Sequence, residues 1–225
     1  MSRIHAGLAS HGMAWFAHEQ TAGKGQRGKT WQTQKGMNIA MSLVLEPDRF
    51  KITRPFYLSA AIALACFDLF SAYAGEETKI KWPNDLYWRD RKAGGILIEN
   101  IYQGKAWKWA VVGTGININQ TAFDPVLRNP VSLKQITGKD LDVIALATEL
   151  LERLIKSGSL LAGGNASGIL ENYNSNLFKK DEEVILIENG QRIQTTIRSV
   201  TEEGHLITSD SVERRFKFGD VEWAL

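Results

Sequence analysis

Cysteine is almost missing from this sequence: Cys66 is the only one in 225 residues. A single cysteine excludes an intramolecular disulfide and a cysteine-built metal site, and it fits a reducing compartment. Cys66 stands in Ala60-Ala61-Ile62-Ala63-Leu64-Ala65-Cys66-Phe67, an apolar helical run. It reads as a small buried hydrophobe rather than a nucleophile. Charge imbalance is lacking too. With 27 basic and 25 acidic residues the net charge is +2, too little to argue for a nucleic-acid or membrane partner, so only local charge can inform. No apolar run reaches the roughly 18 residues that a membrane span needs. The N-terminal Met1-Ser2-Arg3-Ile4-His5-Ala6-Gly7 has no apolar core of signal-peptide type. The expectation is a cytoplasmic protein with no membrane partner. Low-complexity tracts and repeats are also absent. The length suits a main domain with a sizeable core plus a small appendage.

Periodicity then gives an outline. Residues 13–18 read as a short buried strand. Met37, Ile39, Met41, Leu43 and Leu45 alternate with Asn38, Ala40 and Ser42, which predicts a half-buried strand ended by Pro47-Asp48. Apolar residues three and four apart predict a helix over 54–73. Residues 79–82 form a short strand, after which Pro83 holds Trp82 extended and Asn84-Asp85 turn the chain. Residues 95–101 and 107–112 read as a hairpin joined through Gln103-Gly104. A second amphipathic helix spans 140–161 with Asp140 as its N-cap, and a shorter one spans 169–177. Beyond Phe178 come short strands at 183–188, 192–200, 205–209 and 212–218, with hairpin signals at Asn189-Gly190 and Glu203-Gly204. The division expected is residues 1–177 as a main domain and 178–225 as a small, barrel-like β domain.

The most informative stretch is Gly23-Lys24-Gly25-Gln26-Arg27-Gly28-Lys29-Thr30-Trp31. Its glycines let backbone N–H groups approach an anion, and its cations neutralise one. Every charge from Gly23 to Lys35 is positive. Gly23, Gly28, Lys29 and Thr30 also fit the pattern of a P-loop nucleotidase. That pattern needs a helix starting at its lysine, whereas here a period-two strand follows. No apolar strand ends in an aspartate that would clearly serve Mg²⁺. Two further segments carry chemistry. Lys79-Ile80-Lys81-Trp82-Pro83-Asn84-Asp85-Leu86-Tyr87, followed by Lys92-Ala93-Gly94-Gly95-Ile96-Leu97, fixes a lysine at a strand end, suited to stabilising developing negative charge. Standing alone it would sooner read as a salt-bridged strand end and tight turn. Val112-Gly113-Thr114-Gly115-Ile116-Asn117-Ile118-Asn119 ends a strand in Gly-x-Gly. It lacks the third glycine and the helix of a dinucleotide fingerprint, so its glycines could floor a pocket.

In this order and spacing, these segments resemble the biotin protein ligase family. The residues that carry the resemblance are Gly23-Lys24-Gly25-x-Arg27-Gly28-x-x-Trp31, Lys81-Trp82-Pro83-Asn84-Asp85-Leu86, Lys92-x-x-Gly95-Ile96-Leu97 and Gly113-x-Gly115-Ile116-Asn117-x-Asn119. The Lys-Trp-Pro-Asn-Asp string is the most specific of them. The resemblance covers residues 13–122 well and the C-terminus weakly. It implies an α+β fold, a mixed β-sheet with flanking helices, plus a small C-terminal SH3-like β-barrel. It implies an AMP-forming, C–N bond-forming ligase that activates biotin with ATP and Mg²⁺ to biotinyl-5′-AMP. Biotin then passes to a lysine of a carboxyl-carrier domain of acetyl-CoA carboxylase or a related carboxylase. By the same resemblance Lys81, Lys24 and Arg27 are the catalytic cations. Gln20, Gly23, Lys24, Gly25, Gln26, Trp31, Lys81, Leu86, Thr114 and Gly115 would hold biotin. Arg27, Lys29, Asn84, Asp85, Lys92, Asn117 and Asn119 would hold the nucleotide, with Mg²⁺ arriving on ATP rather than in a fixed protein cluster. The loop glycines imply disorder before ligand binds, and Glu213-Arg214-Arg215 is a candidate for reaching substrate.

The sequence departs from the family pattern in two places. Lys24 and Gln26 stand where many members have arginine, and lysine lacks arginine's bidentate fork. The Ser-Thr string that binds the ureido ring in the family is missing before Gln20, which makes an N-terminal truncation the expectation. There is no room in the sequence for the DNA-binding winged helix of some members, so no DNA partner is expected. A homodimer is left open. The rivals are a lipoate or octanoate ligase or transferase of the same fold, and a binding-only form lacking the ureido site.

Overall fold

The computed structural model describes residue 4, residues 8–52 and residues 54–224. The stretch read above for a signal core, residues 1–7, lies outside the described residues except for Ile4.

A six-stranded sheet forms the body of the molecule, in the order β1 (Ala14–Phe16), β4 (Asn38–Leu45), β8 (Ala106–Asn117), β7 (Arg91–Gln103), β6 (Asp85–Trp88), β5 (Thr78–Lys81). The α+β class holds. The sheet was expected to be mixed, but all of its strand pairs are antiparallel. Parallel pairing is confined to isolated bridges, Ile80 with Leu177 and Lys92 with Pro130. Strand β1 is a three-residue, half-buried edge strand, not the buried one expected. Strand β4 is buried on both faces rather than one. Its alternation separates aliphatics under the helices from Asn38 and Ala40 under a loop, and both coverings exclude water.

Helices α1 (Pro55–Ala74), α3 (Val143–Ala162) and α4 (Ala166–Ser175) pack together over one face. Helix α1 starts with proline at its first position and stops at Gly75 (φ 77°), whose N–H reaches Ser71 O at 2.8 Å. At 20 residues it is long and apolar enough to cross a membrane by length and composition, which corrects the reading that no run is. More than half of it is buried, in a core shared with Leu43, Leu150 and Leu154. A helix apolar on all sides is what burial between a sheet and other helices requires. Cys66 lies in this core, and burial pushes its thiol up to about 12. Helix α3 is capped by Asp142, whose Oδ1 accepts the N–H groups of Ile144 (2.9 Å) and Ala145 (3.1 Å). Asp140, the expected cap, instead pairs with Lys134 at 2.7 Å. The short α2 (Leu133–Thr137) was not foreseen. Ser132 and Gln135 close a capping box at its start.

A five-stranded antiparallel sheet is built from β9 (Glu183–Glu188), β10 (Gln191–Val200), β11 (Leu206–Ser209), β12 (Glu213–Phe216) and β13 (Val221–Trp223), in the order β12-β11-β10-β9-β13. Asn189 (φ 49°) and Gly190 (φ 80°) supply the two positive φ values of a tight hairpin. Strand β13 was not expected from sequence. This sheet is bolted to the first. Trp82 Nε1 donates to Gly204 O (2.9 Å), Asn174 Oδ1 and Nδ2 clip the Val200 backbone, and Arg54 pairs with Glu202 and Glu203. Arg214 and Arg215 are engaged by Asp210 and Glu203, so the Glu213-Arg214-Arg215 string is tied within its own sheet and to its turn.

Candidate active site

The face of the six-stranded sheet away from the helices carries the site. Strand pairing aligns Lys81, Asp85, Gly95, Gly115 and Ala40 in one row. Residues directly opposite one another share a face, so the two glycines make a bare floor between charged and aliphatic walls. Strand β6 exists because the turn at Pro83-Asn84 is completed before Asp85. The Trp82–Pro83 peptide is cis, and Asn84 clips β7 through hydrogen bonds with the Ile96 backbone.

Over this floor folds the glycine-rich loop, expected to be disordered without ligand. Here it is a closed hairpin of β2 (Gly23–Lys24) and β3 (Thr30–Trp31), with Gly25 N–H on Lys29 O at 2.7 Å and Arg27 in the left-handed region (φ 56°). No α-helix begins at Lys29, so the P-loop geometry is not formed. The indole of Trp31 lies flat on the floor. A Cβ on Gly115 would come within 2.5 Å of it, and one on Gly23 within 2.2 Å of the Trp31 carbonyl, so no other residue fits either place without a shift. Under the hairpin, Trp31 Nε1 and Gln20 Oε1 are buried with no hydrogen-bond partner among the described residues. Buried polar atoms are nearly always paired, so each of these two is left short of a partner under the lid.

The cations are unequal. Lys24, Arg27 and Lys29 are exposed and in no ion pair among the described residues. The guanidinium of Arg27 rests against the turn before β13, where a Cβ on Gly219 would meet it at 3.5 Å. Lys92 is held by Asp85 at 2.7 Å, and its ammonium lies 5.9 Å from the Trp31 ring centre. Lys81 is only 8% exposed. Its Nζ lies 3.3 Å from the Tyr87 hydroxyl, 4.7 Å from the centre of the Tyr87 ring and 5.0 Å from that of Trp223. Burial, opposed by Asp85 and reinforced by the charges of Lys92 and Lys29, lowers its pKa to about 8.

The row thus gathers Lys81, Asp85, Gly95, Gly115 and Trp31, with Lys92 and Lys29 beside them. It does not gather all the residues singled out in the sequence. Thr114 alternates with Gly113 and Gly115 along β8, so its side chain points to the helix face, and Leu86 is part of the core there. Asn117 and Asn119 lie at the end of β8, but their amides hold the backbone at Val131 (3.1 Å) and Leu141 (2.8 Å). Sequence reasoning missed Tyr87 and Trp223. Tyr87 has a local signal, since it follows Asp85 by two residues and so shares its face. Trp223 has none, because only the fold brings it to Lys81. Among the described residues no three His, Cys, Asp or Glu side chains gather to hold a metal, and Asp85 is taken by Lys92.

Known proteins resemble this chain in sequence and in fold. Residues 4–117, just over half of the chain, match the model of the biotin/lipoate A/B protein ligase family. The chain is 34% identical over 146 residues to the bifunctional ligase/repressor BirA of Bacillus spizizenii, covering 64% of this chain and 45% of that one. It is 36% identical over 138 residues to the biotin--[acetyl-CoA-carboxylase] ligase of Paracoccus denitrificans, covering 58% and 57%. It thus spans about half the length of these relatives. The fold is that of the Aquifex aeolicus biotin protein ligase solved in complex with biotin and ATP, with a TM-score of 0.81 at 24% identity over 95% of this chain and 89% of that one. On the match to its family model, this chain belongs to the biotin/lipoate A/B protein ligase family.

Proposed function

We propose that the protein is a biotin protein ligase. It joins biotin to AMP from ATP and then passes the biotinyl group to a lysine of a carboxylase carrier domain. One observation carries this reading: a two-glycine floor flanked by Lys81 and Lys92 lies under a lid whose cations have no ion-pair partner among the described residues. Such a site can bring two anions together, the central difficulty of the first step. The Paracoccus denitrificans relative, named as a biotin--[acetyl-CoA-carboxylase] ligase, supports the choice of biotin.

In the first step a biotin carboxylate oxygen attacks the α-phosphorus of ATP. A new O–P bond forms, the α–β bridging P–O bond breaks, and pyrophosphate leaves with the electron pair. Lys81, fixed in the row and short of water, stabilises the charge that develops on the α-phosphate. Arg27 and Lys29 on the lid, with Lys24 behind them, offset the triphosphate charge. Gly23, Gly25, Gln26 and Gln20 border biotin beneath the lid, with Trp31, seated on Gly115, as one wall, while Lys92, Asp85 and Asn84 border the nucleotide. Mg²⁺ arrives as part of the nucleotide substrate. The closed hairpin then keeps water from the mixed anhydride. In the second step a neutral carrier amine attacks the biotinyl carbonyl. A C–N bond forms, the C–O bond to AMP breaks, and the amine's extra proton goes to solvent.

The same proposal divides the chain into a catalytic unit, residues 1–177, and an SH3-like unit, residues 178–225. It makes the protein cytoplasmic, with a carrier domain of acetyl-CoA carboxylase or a related carboxylase as partner, no DNA or membrane partner, and dimerisation left open. Isothermal titration separates the two family substrates, with heat expected for biotin and none for lipoate. Incubation with ATP, Mg²⁺, biotin and an acetyl-CoA carboxylase carrier domain should then add one biotinyl group to the carrier. Heat with lipoate alone, or an unmodified carrier, would overturn the reading.

A further inference from the structure

Lys81 is buried. Asp85, its partner across the strand pair, gives its carboxylate to Lys92 at 2.7 Å, and no ion pair to Lys81 occurs among the described residues. A buried ammonium in that position would normally be neutralised or drawn out to water. Lys81 is instead walled by π faces. Its Nζ donates to the Tyr87 hydroxyl at 3.3 Å, and the ring centres of Tyr87 and of Trp223 from the C-terminal sheet lie 4.7 and 5.0 Å away. Trp223 does not reach there by a loose tail. It pairs with Leu186 in β9, and its ring meets Phe178 at 5.7 Å, which in turn meets Tyr87 at 5.0 Å. The aromatic set is continuous from one sheet to the other. An aromatic wall attracts a cation yet leaves its charge uncancelled, which suits a lysine that must meet an anion. A carboxylate in the same place would cancel it.

We propose that Trp223 is a positioning residue for Lys81, through which the C-terminal sheet completes the catalytic site. This rests on the ligase reading above. The turn just before Trp223 adds to it, because Gly219 receives the lid's Arg27. One short segment of the C-terminal sheet, residues 219–223, therefore touches both a floor cation and a lid cation. The charged groups that face Lys81 are Asp85 from β6, Lys92 from β7 and Lys29 from the lid. The Tyr87 phenol is neutral, burial pushing its pKa up. Lys179, the cation beside Phe178, is held by Asp90 and Glu182. Trp223 thus acts on Lys81 by excluding water and by its π face, with no charge of its own to confuse the reading.

The test uses the full-length protein as wild type, Trp223→Ala and Trp223→Phe. Lys81 titration is read by pH-dependent acetylation of its peptide in mass spectrometry, and adenylation by pyrophosphate release with biotin, ATP and Mg²⁺ across the same pH range. In Trp223→Ala water reaches the ammonium, so its titration moves up by about one unit. There kcat falls by about tenfold or more while KM for ATP and biotin holds, and the alkaline limb of the rate shifts up with the titration. Trp223→Phe restores both. Trp223→Gln, which keeps a side chain of some length but no π wall, repeats the test if the alanine protein does not fold. Unchanged titration and unchanged kcat in these variants, or a phenylalanine protein as impaired as the alanine one, overturns the proposal. A wild type that releases no pyrophosphate overturns the ligase reading instead, and the titration arm still judges Trp223.

Discussion

The two faces of the six-stranded sheet are built on opposite terms. On the helix face Ile39, Leu43, Val112 and Ile116 lie against Leu69, Leu150 and Leu154, all close to fully buried. On the lid face the sheet carries Gly95, Gly115 and a buried lysine with no ion pair among the described residues, and Gln20 and Trp31 above it have orphaned polar atoms. One backbone serves both because side chains alternate along a strand. The helix face holds the fold together. The lid face gives up packing and pairing where an anionic ligand is to sit.

The largest effect should come from breaking the helix face. Leu150→Ala should cost about 2–5 kcal/mol in chemical denaturation, and the KM for biotin should stay as it was. A large rise in KM with little loss of stability would mean that the two faces are not separable.

Lys81→Met should sharpen the contrast in the other direction. The folded pKa of about 8 lies below the ordinary lysine value of 10.5. The unfolded chain therefore holds this proton more firmly, and charged Lys81 costs stability in full below pH 8. As pH rises from 8 to 10.5 the cost fades, so wild-type stability should rise through that window by at most about 3 kcal/mol. Lys81→Met should be more stable than wild type at pH 7, the gap closing toward pH 10.5. A methionine protein less stable at pH 7 would contradict the burial of the charge.

Gly115→Ala should lift Trp31 from the floor, since the added methyl would meet the indole. Tryptophan fluorescence should shift to the red and biotin affinity should fall. Global stability should change by about 1–2 kcal/mol. An unshifted spectrum would mean that Trp31 does not rest there. The smallest effect is Asp142→Ala, about 1 kcal/mol from the lost cap of α3, with Asp140→Ala near neutral. The reverse order would restore the cap read from sequence.

How much of this was legible depends on whether the cause is local. Helix α1 is read within one residue at each end because its own composition compels it. The Asn189-Gly190 hairpin is legible because two positive φ values favour Asn and Gly. Asp142 was overlooked for Asp140 because both precede the same apolar pattern. Only the register of the first turn, with Val143 buried, separates them. Helix α2 is too short for periodicity, although its Ser132-to-Gln135 box was there to be read. In the site, the Lys81 and Gly115 strings stand out, yet the family resemblance assigned Thr114 to the same pocket as Gly115. Period-two alternation already forbids that. Trp223 could not be found this way, because its proximity to Lys81 depends on how one sheet docks on the other.

The central claim is that Lys81 on the lid face stabilises attack of a carboxylate on ATP, and single-turnover pyrophosphate release in wild type and Lys81→Ala tests it most directly. The wild type should release pyrophosphate only when biotin is present, and Lys81→Ala should do so slower by roughly 10²–10³-fold while still binding biotin. Biotin-independent release, or a Lys81→Ala rate near that of the wild type, would contradict the account.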